Sequence, residues 1–495
     1  MNVLFYSTYH FNTETFGPYL ELMQRHLNDG DTVYFLGCDG ELSSCQTNPQ
    51  HAKLICHTCI STRINALKCL NGKVQYLSIN RVLAQEQINP HLELIDTSSI
   101  EAFKNCQYET FDIGMAVMSS VVSVYRDPAP DLKQHSALIE KQWTASMQVY
   151  HAVKKCITEK TIDRVYVFNA RFATLRACLR ASQQLNCNCF VLEESNDRTR
   201  FAVYENAMPH SIAYVEKQIE NYWADGGADK ESIAMAYYVQ RSQGKDSRFG
   251  HFTAHQDQSL LPKQWNPAQE NIVIFISSED EFVSIGKEWE NHLYKNQVDG
   301  IKQISTALLA QPQFMFYVRV HPNLSGILNE SIEALYAIDH KNVVIIPAES
   351  PISTYNLMFH ASKVISFGSS VGIEAAAFGK ISILAGKAFY MNLGCTYNPA
   401  NHEELVALLA REDLTPKPKD GALKYAFYLL NFGQRYQYFK RKDTFQAAVN
   451  EQLYGPKMSL LLIRRIGRII RKAKEKRRKK NNLQQIAKLA ARRNQ

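Results

Sequence analysis

"SFGSSVGIEAAAFGKISIL", residues 366–384, decides the fold of the second half of the chain. An apolar run ends in a turn of small residues, a short helical stretch follows, a glycine stops it, and a second apolar run begins. This is the strand, turn, helix, strand order of an α/β unit. The turn has three readings: a phosphate cradle, a catalytic elbow, or a tight corner in a parallel sheet. Free backbone N–H groups and the positive end of a helix dipole meet where the helix starts near Ser370, which favours an anion. Gly368 and Gly372 leave room for a ligand to approach the backbone, and the hydroxyls of Ser369 and Ser370 cap the helix or bind phosphate oxygens. Glu374, one turn further on, suits a ribose hydroxyl. The plain alternative is a capped helix with Ala375 to Ala377 on the sheet and Gly379 as its stop. The stretch is neither a Walker A loop, since Ile follows Gly379-Lys380, nor a G-x-G-x-x-G fingerprint.

The same alternation extends in both directions. Apolar runs occur at 271–278, 314–322, 343–347 and 381–386, and a second set at 2–8, 32–38, 74–79, 164–170 and 189–195. Continuous runs of this kind suit parallel strands covered on both faces. They predict two Rossmann-like, doubly wound α/β domains facing a cleft: residues 1–225, a polar linker at 226–268, then 269–455 with returning helices, and a basic tail at 456–495. In such sheets ligands bind beyond the carboxyl ends of the strands, so the residues after each strand are the candidates.

Two more stretches follow strands. In "YVRVHPNLSG" (317–326) a proline stops the strand and leaves His321 at its edge, where imidazole can donate to a phosphate, with the fixed charge of Arg319 two residues earlier. A strand terminator is the plain account. In "FISSEDEF" (275–282), Ser277, Ser278, Glu279, Asp280 and Glu281 either cap a helix or place a hydroxyl or carboxylate in the cleft.

Length and charge limit the classes. The 495 residues, 45% of them apolar, suffice for two cores, and no apolar run reaches the roughly 18 residues of a membrane span. Together with an N-terminus lacking a basic leader, this predicts a cytoplasmic chain. The net charge of +8 belongs to the tail: residues 456–495 carry 15 Lys/Arg against Glu475 alone, leaving −6 for the first 455 residues. No nucleic acid is therefore expected as partner of the body. In the tail, Leu462, Ile466, Ile469, Ile470 and Ala473 recur at helical spacing opposite Arg464, Arg465, Arg468, Arg471 and Lys472, which predicts an amphipathic helix on an anionic membrane surface. A nucleic-acid or partner arm and a solvated tail are the alternatives. The eleven cysteines suit reduced thiols. Cys38, Cys45, Cys56 and Cys59, spaced C-x6-C-x10-C-x2-C, predict a structural zinc or iron–sulfur site, with His51 and His57 as substitute ligands, or else buried free thiols.

The order "ISSEDEF", "VRVHPNL", "ESPISTYNLM", "SFGSSVGIEAAAFGK", "AFYMNLG", over about 270–410, resembles the C-terminal half of bacterial capsule and surface-polysaccharide biosynthesis glycosyltransferases of the GT-B type. The His-Pro and Ser-Ser motifs also resemble those of bacterial sialyltransferases and Kdo transferases. "FNARFATLRA" (168–177) and "LEESNDRTRFAVYENAMPHS" (192–211) look like related N-terminal segments. There the family's Asn-Gly-Arg stands as Asn169-Ala170-Arg171, and its Glu-Arg-Gly as Glu194-Ser195-Asn196. The resemblance implies an inverting transfer, without catalytic metal or cofactor, from a nucleotide-activated sugar such as a CMP-sugar to a glycan or lipid-linked acceptor, at the inner face of the membrane. It implies His321 on the donor phosphate, Ser369 and Ser370 on phosphate or cytidine, and Glu374 on ribose. Arg171 falls on the acceptor side, with Glu14 or Glu194 as general base. Two rivals are a CDP-alditol polyol-phosphate transferase and a non-catalytic assembly scaffold.

Overall fold

The computed structural model describes residues 1–84, 86–245, 253, 255–456, 472 and 475–490. The chain forms two compact units, the first from Met1–Ser211, Val283–Gly286 and Phe432–Lys472, the second from Ile212–Phe282, Lys287–Asn431 and Ala473–Gln495.

In the first unit, strands β1 (Asn2–Ser7), β2 (Thr32–Gly37), β3 (Val74–Ser78), β4 (Arg164–Phe168), β5 (Asn188–Glu194) and β6 (Arg200–Glu205) join a seven-stranded sheet. Its parallel part runs β5-β4-β1-β2-β3, and β6 adds antiparallel to β5. The crossover from β1 outward on both sides is the doubly wound order. β1 is buried from Val3 to Ser7, as its uninterrupted apolar sequence requires.

The second unit repeats that order with β7 (Glu270–Phe275), β8 (Phe314–Arg319), β9 (Val343–Ile346), β10 (Lys363–Ser366) and β11 (Ile381–Leu384), all parallel as β11-β10-β7-β8-β9. One face of this sheet buries Ile272, Ile274, Phe316 and Val318 against Ile301, Ile304 and Leu405; the other buries Val273, Phe275 and Tyr317 against Leu357 and Met358. The order reverses between β7 and β10, and the crevice at their carboxyl ends is the expected ligand position.

The units do not divide at 225/226 and 455/456. Most of the stretch expected as a linker has its own structure: helix Lys230–Ser242 buries Ala234 and Tyr238 in the second unit, against Ala422, Ala426 and Phe427 of helix Asp420–Asn431. After that helix the chain returns to the first unit, where β12 (Gln434–Arg435) pairs with β6 and a meander of β13 (Phe439–Arg441), β14 (Ala447–Val449) and β15 (Gln452–Tyr454) follows. The physical reason is Glu21. Its fully buried carboxylate accepts the backbone N–H groups of Gln437, Tyr438 and Phe439 at 3.0, 2.8 and 2.9 Å and pairs with Arg25.

The amphipathic stripe expected from Leu462 to Ala473 lies outside the described residues. Residues 475–490 are helical; Ile486 is buried in the core of the second unit, and the Asn482 amide donates to Gly326 O at 2.9 Å. The end of the tail is thus part of that unit. Among the described residues, no helix is long and apolar enough to cross a membrane.

Candidate functional site

The opening stretch folds as strand β10, turn and helix Ser370–Ala377. Gly368 has φ +100°, and a Cβ there would stand 2.5 Å from Lys387 O, so the corner needs glycine. Ser369 caps the helix, its Oγ accepting Val371 N–H at 3.3 Å. Tyr390, from "AFYMNLG", donates to Ser369 O at 2.6 Å and meets Ser366 Oγ at 3.0 Å, fixing the turn from beneath. A Cβ on Gly372 would lie 2.5 Å from both hydroxyls, so only glycine lets the helix sit this close to the strand. The elbow reading fails on chemistry: Ser369 Oγ serves the cap, and Ser370 Oγ donates to the Glu374 carboxylate at 2.9 Å, with no base poised on either.

Around this turn the second unit forms a pocket with about 620 Å³ of empty space, part of it open to solvent. Phe275 and Ile276 line it from β7, Arg319, His321 and Pro322 from β8, and Ser369, Ser370, Val371 and Glu374 from the turn and helix. Arg319 is 2% exposed; it donates to Pro347 O and, at 3.2 Å, to Ser350 O, while its Nε has no partner among the described residues. Burial lowers its pKa to about 10, with Glu349 opposing, so the guanidinium stays charged at neutral pH. A buried orphan N–H on a cation, beside a helix N-terminus, fits an anionic ligand. His321 Nδ1 accepts Asn323 N–H at 3.1 Å, so a neutral ring carries its proton on Nε2. Pro322 starts the single turn Pro322–Leu324 that holds this geometry.

"FISSEDEF" does not cap a helix of its own. Glu279–Glu281 is one 3-10 turn, Ser278 Oγ donates to Asp280 at 2.7 Å, and Glu279 instead accepts Gln297 N–H at 2.9 Å, at the start of helix Gln297–Ala307. Burial pushes the Glu279 carboxyl up to about 7. Ser277 is clamped through its backbone by the Gln297 amide, at 3.0 and 2.9 Å, and its buried Oγ, without a partner among the described residues, lies 3.8 Å from the Cβ position of Gly368. Glu279 and Ser278 do not line the pocket.

Sequence reasoning missed Arg241, Thr253, Thr354 and Tyr355, which complete the pocket wall. Arg241 was legible in principle, since Ala234, Tyr238 and Arg241 recur at helical spacing on one stripe.

The first unit places the remaining candidates separately. Glu14 is ion-paired with Arg441 in the first turn of helix Thr13–Asn28. Glu194 ends β5, half-buried, and the next residue, Ser195, donates to Phe432 O at 2.8 Å. Arg171 is buried, its guanidinium 4.7 Å from the Phe172 ring centre. Asn169 and Ala170 have φ +60° and +54°: the position where the family carries glycine keeps the left-handed backbone with an alanine.

Cys38, Cys45, Cys56 and Cys59 line one small cavity with His51, but among the described residues no three His, Cys, Asp or Glu side chains converge as metal ligands. Each thiol is engaged otherwise. Cys38 accepts Gly40 N–H at 3.3 Å, Cys45 meets Thr47 Oγ1 at 3.7 Å, and Cys56 accepts the Asn48 amide at 3.2 Å. Cys59 meets the buried His10 ring at 3.1 Å. Burial pushes the Cys38 thiol up to about 12 and Cys59 higher still, which suits unionised thiols rather than metal-binding thiolates.

No protein-family model matches this chain, and no curated protein matches it. Solved structures with some likeness include the β-Kdo 2,4 transferase KpsC of Thermosulfurimonas dismutans, at 14% identity over 54% of this chain and 79% of that one, TM-score 0.35. The UDP-GlcNAc 2-epimerase of Methanocaldococcus jannaschii, solved with UDP-GlcNAc and UDP, is 10% identical over 88% of this chain and 100% of that one, TM-score 0.29. CalG4, the calicheamicin glycosyltransferase, is 10% identical over 86% and 94%, TM-score 0.26.

Proposed function

We propose that the protein is a glycosyltransferase of surface-polysaccharide assembly whose second unit binds the nucleotide-activated sugar. The observation that carries this reading is the convergence, at the switch point of a doubly wound sheet, of the Ser369-capped helix N-terminus, the buried orphan Nε of Arg319 and His321. The sequence resemblance of residues 270–410 supports the same assignment and favours a CMP-sugar as donor. In this reading Arg319 and the helix N-terminus hold the phosphate. The His321 Nε2–H donates to a phosphate oxygen as the bond to the sugar breaks, stabilising the departing nucleotide. A carboxylate takes the proton of the acceptor hydroxyl, and transfer inverts the anomeric carbon without a metal. The basic tail places the enzyme at an anionic membrane surface where a lipid-linked glycan is presented, on the cytoplasmic side; Lys476, Arg477, Arg478 and Lys480 are exposed there.

Thermal melting against cytidine, uridine and guanosine mono- and diphosphates tests the site. One series should stabilise the protein by about 2.7 kcal/mol at a hundred times its Kd. His321→Ala should spare much of that stabilisation while removing transfer of sugar from the matching donor. A protein that no nucleotide stabilises would refute the reading.

A further inference from the structure

The carboxylate expected to grasp ribose already holds three donors. Glu374 is 2% exposed; its Oε1 accepts Ser370 Oγ at 2.9 Å and Arg241 Nη2 at 3.2 Å, and its Oε2 accepts the Tyr355 hydroxyl at 2.6 Å. Arg241 rises from helix Lys230–Ser242 and packs over the Tyr237 ring, 5.5 Å from its centre. Burial first, and the Glu374 charge second, raise the Tyr355 phenol above its ordinary range and keep it a donor. All three partners line the same pocket as Arg319 and His321.

We propose that Glu374 is a positioning residue that cancels the charge of Arg241 and so limits the pocket to a phosphate group of one negative charge. The charged groups lining the pocket are Arg241, Arg319 and Glu374, with His321 titratable. Arg241 and Glu374 cancel within one ion pair, so with a neutral His321 the pocket presents a single net positive charge, that of Arg319. A phosphodiester, as in a nucleoside monophosphate ester, matches it. A phosphomonoester, with nearly two charges at pH 8, leaves one uncompensated in a partly desolvated site. The inference rests on the nucleotide reading above and gives Glu374 a role different from a ribose ligand.

The test is a titration of the full-length protein at pH 8 with two probes, cytidine 5′-monophosphate and its methyl ester, which differ by about one charge. The wild type should bind the ester at least as tightly as the monophosphate. Glu374→Gln keeps the side-chain shape and frees the Arg241 charge, so the ratio of affinities should shift toward the monophosphate by on the order of tenfold. Glu374→Asp keeps the charge and should keep the wild-type ratio, which separates charge balance from mere packing. Should Glu374→Gln fail to fold, Arg241→Met serves instead, with the ratio shifting the opposite way. A ratio within twofold of wild type in the folded variant overturns the role of Glu374 while leaving the nucleotide reading intact. A wild type that binds neither probe, nor the uridine or guanosine counterparts, overturns both.

Discussion

Replacing Arg319 with methionine tests the anion site at the residue most committed to it. The change keeps the length of the side chain and removes a charge that lines the pocket, together with the donors to Pro347 O and Ser350 O. A phosphate about 5 Å from the guanidinium, at an effective dielectric near 20, gains about 3 kcal/mol from it, so affinity for the nucleotide should fall by about a hundredfold. Two carbonyls lose charged donors, while a buried cation with an orphan Nε is also removed, so the net loss of stability should be about 1–3 kcal/mol. Because the pKa of Arg319 stays near 10, the affinity of the wild type owes nothing to titration of this group between pH 6 and 8. Calorimetric titration with the nucleotide that stabilises the wild type, alongside urea unfolding, reads both effects. Arg319→Lys, which keeps the charge without the fork, should fall between. Binding by Arg319→Met within threefold of wild type, with the fold intact, would refute the placement of the phosphate.

Four further outcomes are expected. Glu21→Ala strips three backbone N–H groups of their acceptor and should cost about 3–5 kcal/mol by chemical denaturation, with limited proteolysis cutting first near 436–439. Ala170→Gly relieves a left-handed backbone and should raise stability by about 0.5–1 kcal/mol, read from the urea midpoint. Glu279 has a folded pKa near 7, above its unfolded value near 4.5, so the native state binds the extra proton and stability falls as pH rises between those values. Relative to Glu279→Gln, the wild type should lose up to about 3 kcal/mol between pH 4.5 and 7.5 in unfolding titrations. Deleting residues 456–495 should abolish sedimentation with anionic vesicles and, because Ile486 belongs to the core of the second unit, lower the melting temperature as well.

The parallel strands were legible because each is an unbroken apolar run set by its own residues. "NVLFYST" became Asn2–Ser7, and "FMFYVRVHP" ended at Arg319, just ahead of the proline that halts it. The strands that escaped are those whose pairing is not local. β6 reads "RFAVYE", with charged ends, and β12 is two exposed residues that pair with it more than 230 positions away. Nothing nearby in sequence announces that partnership; a buried glutamate on a helix near the N-terminus draws the chain back. At the site, the Ser-Ser turn and His321 were visible because they follow strands in register. The acidic run after Phe275 misled for a physical reason: it carries a cap, but Glu279 caps a helix that begins at Gln297. Arg241 was hidden in a polar stretch whose helix has only a narrow apolar stripe.

The most direct test of the central claim is a crystal structure with the nucleotide that stabilises the protein. The phosphate should lie within about 3 Å of Arg319 Nε and of the first backbone N–H groups of helix Ser370–Ala377. Density for the nucleotide elsewhere, with that pocket holding only solvent, would contradict the account.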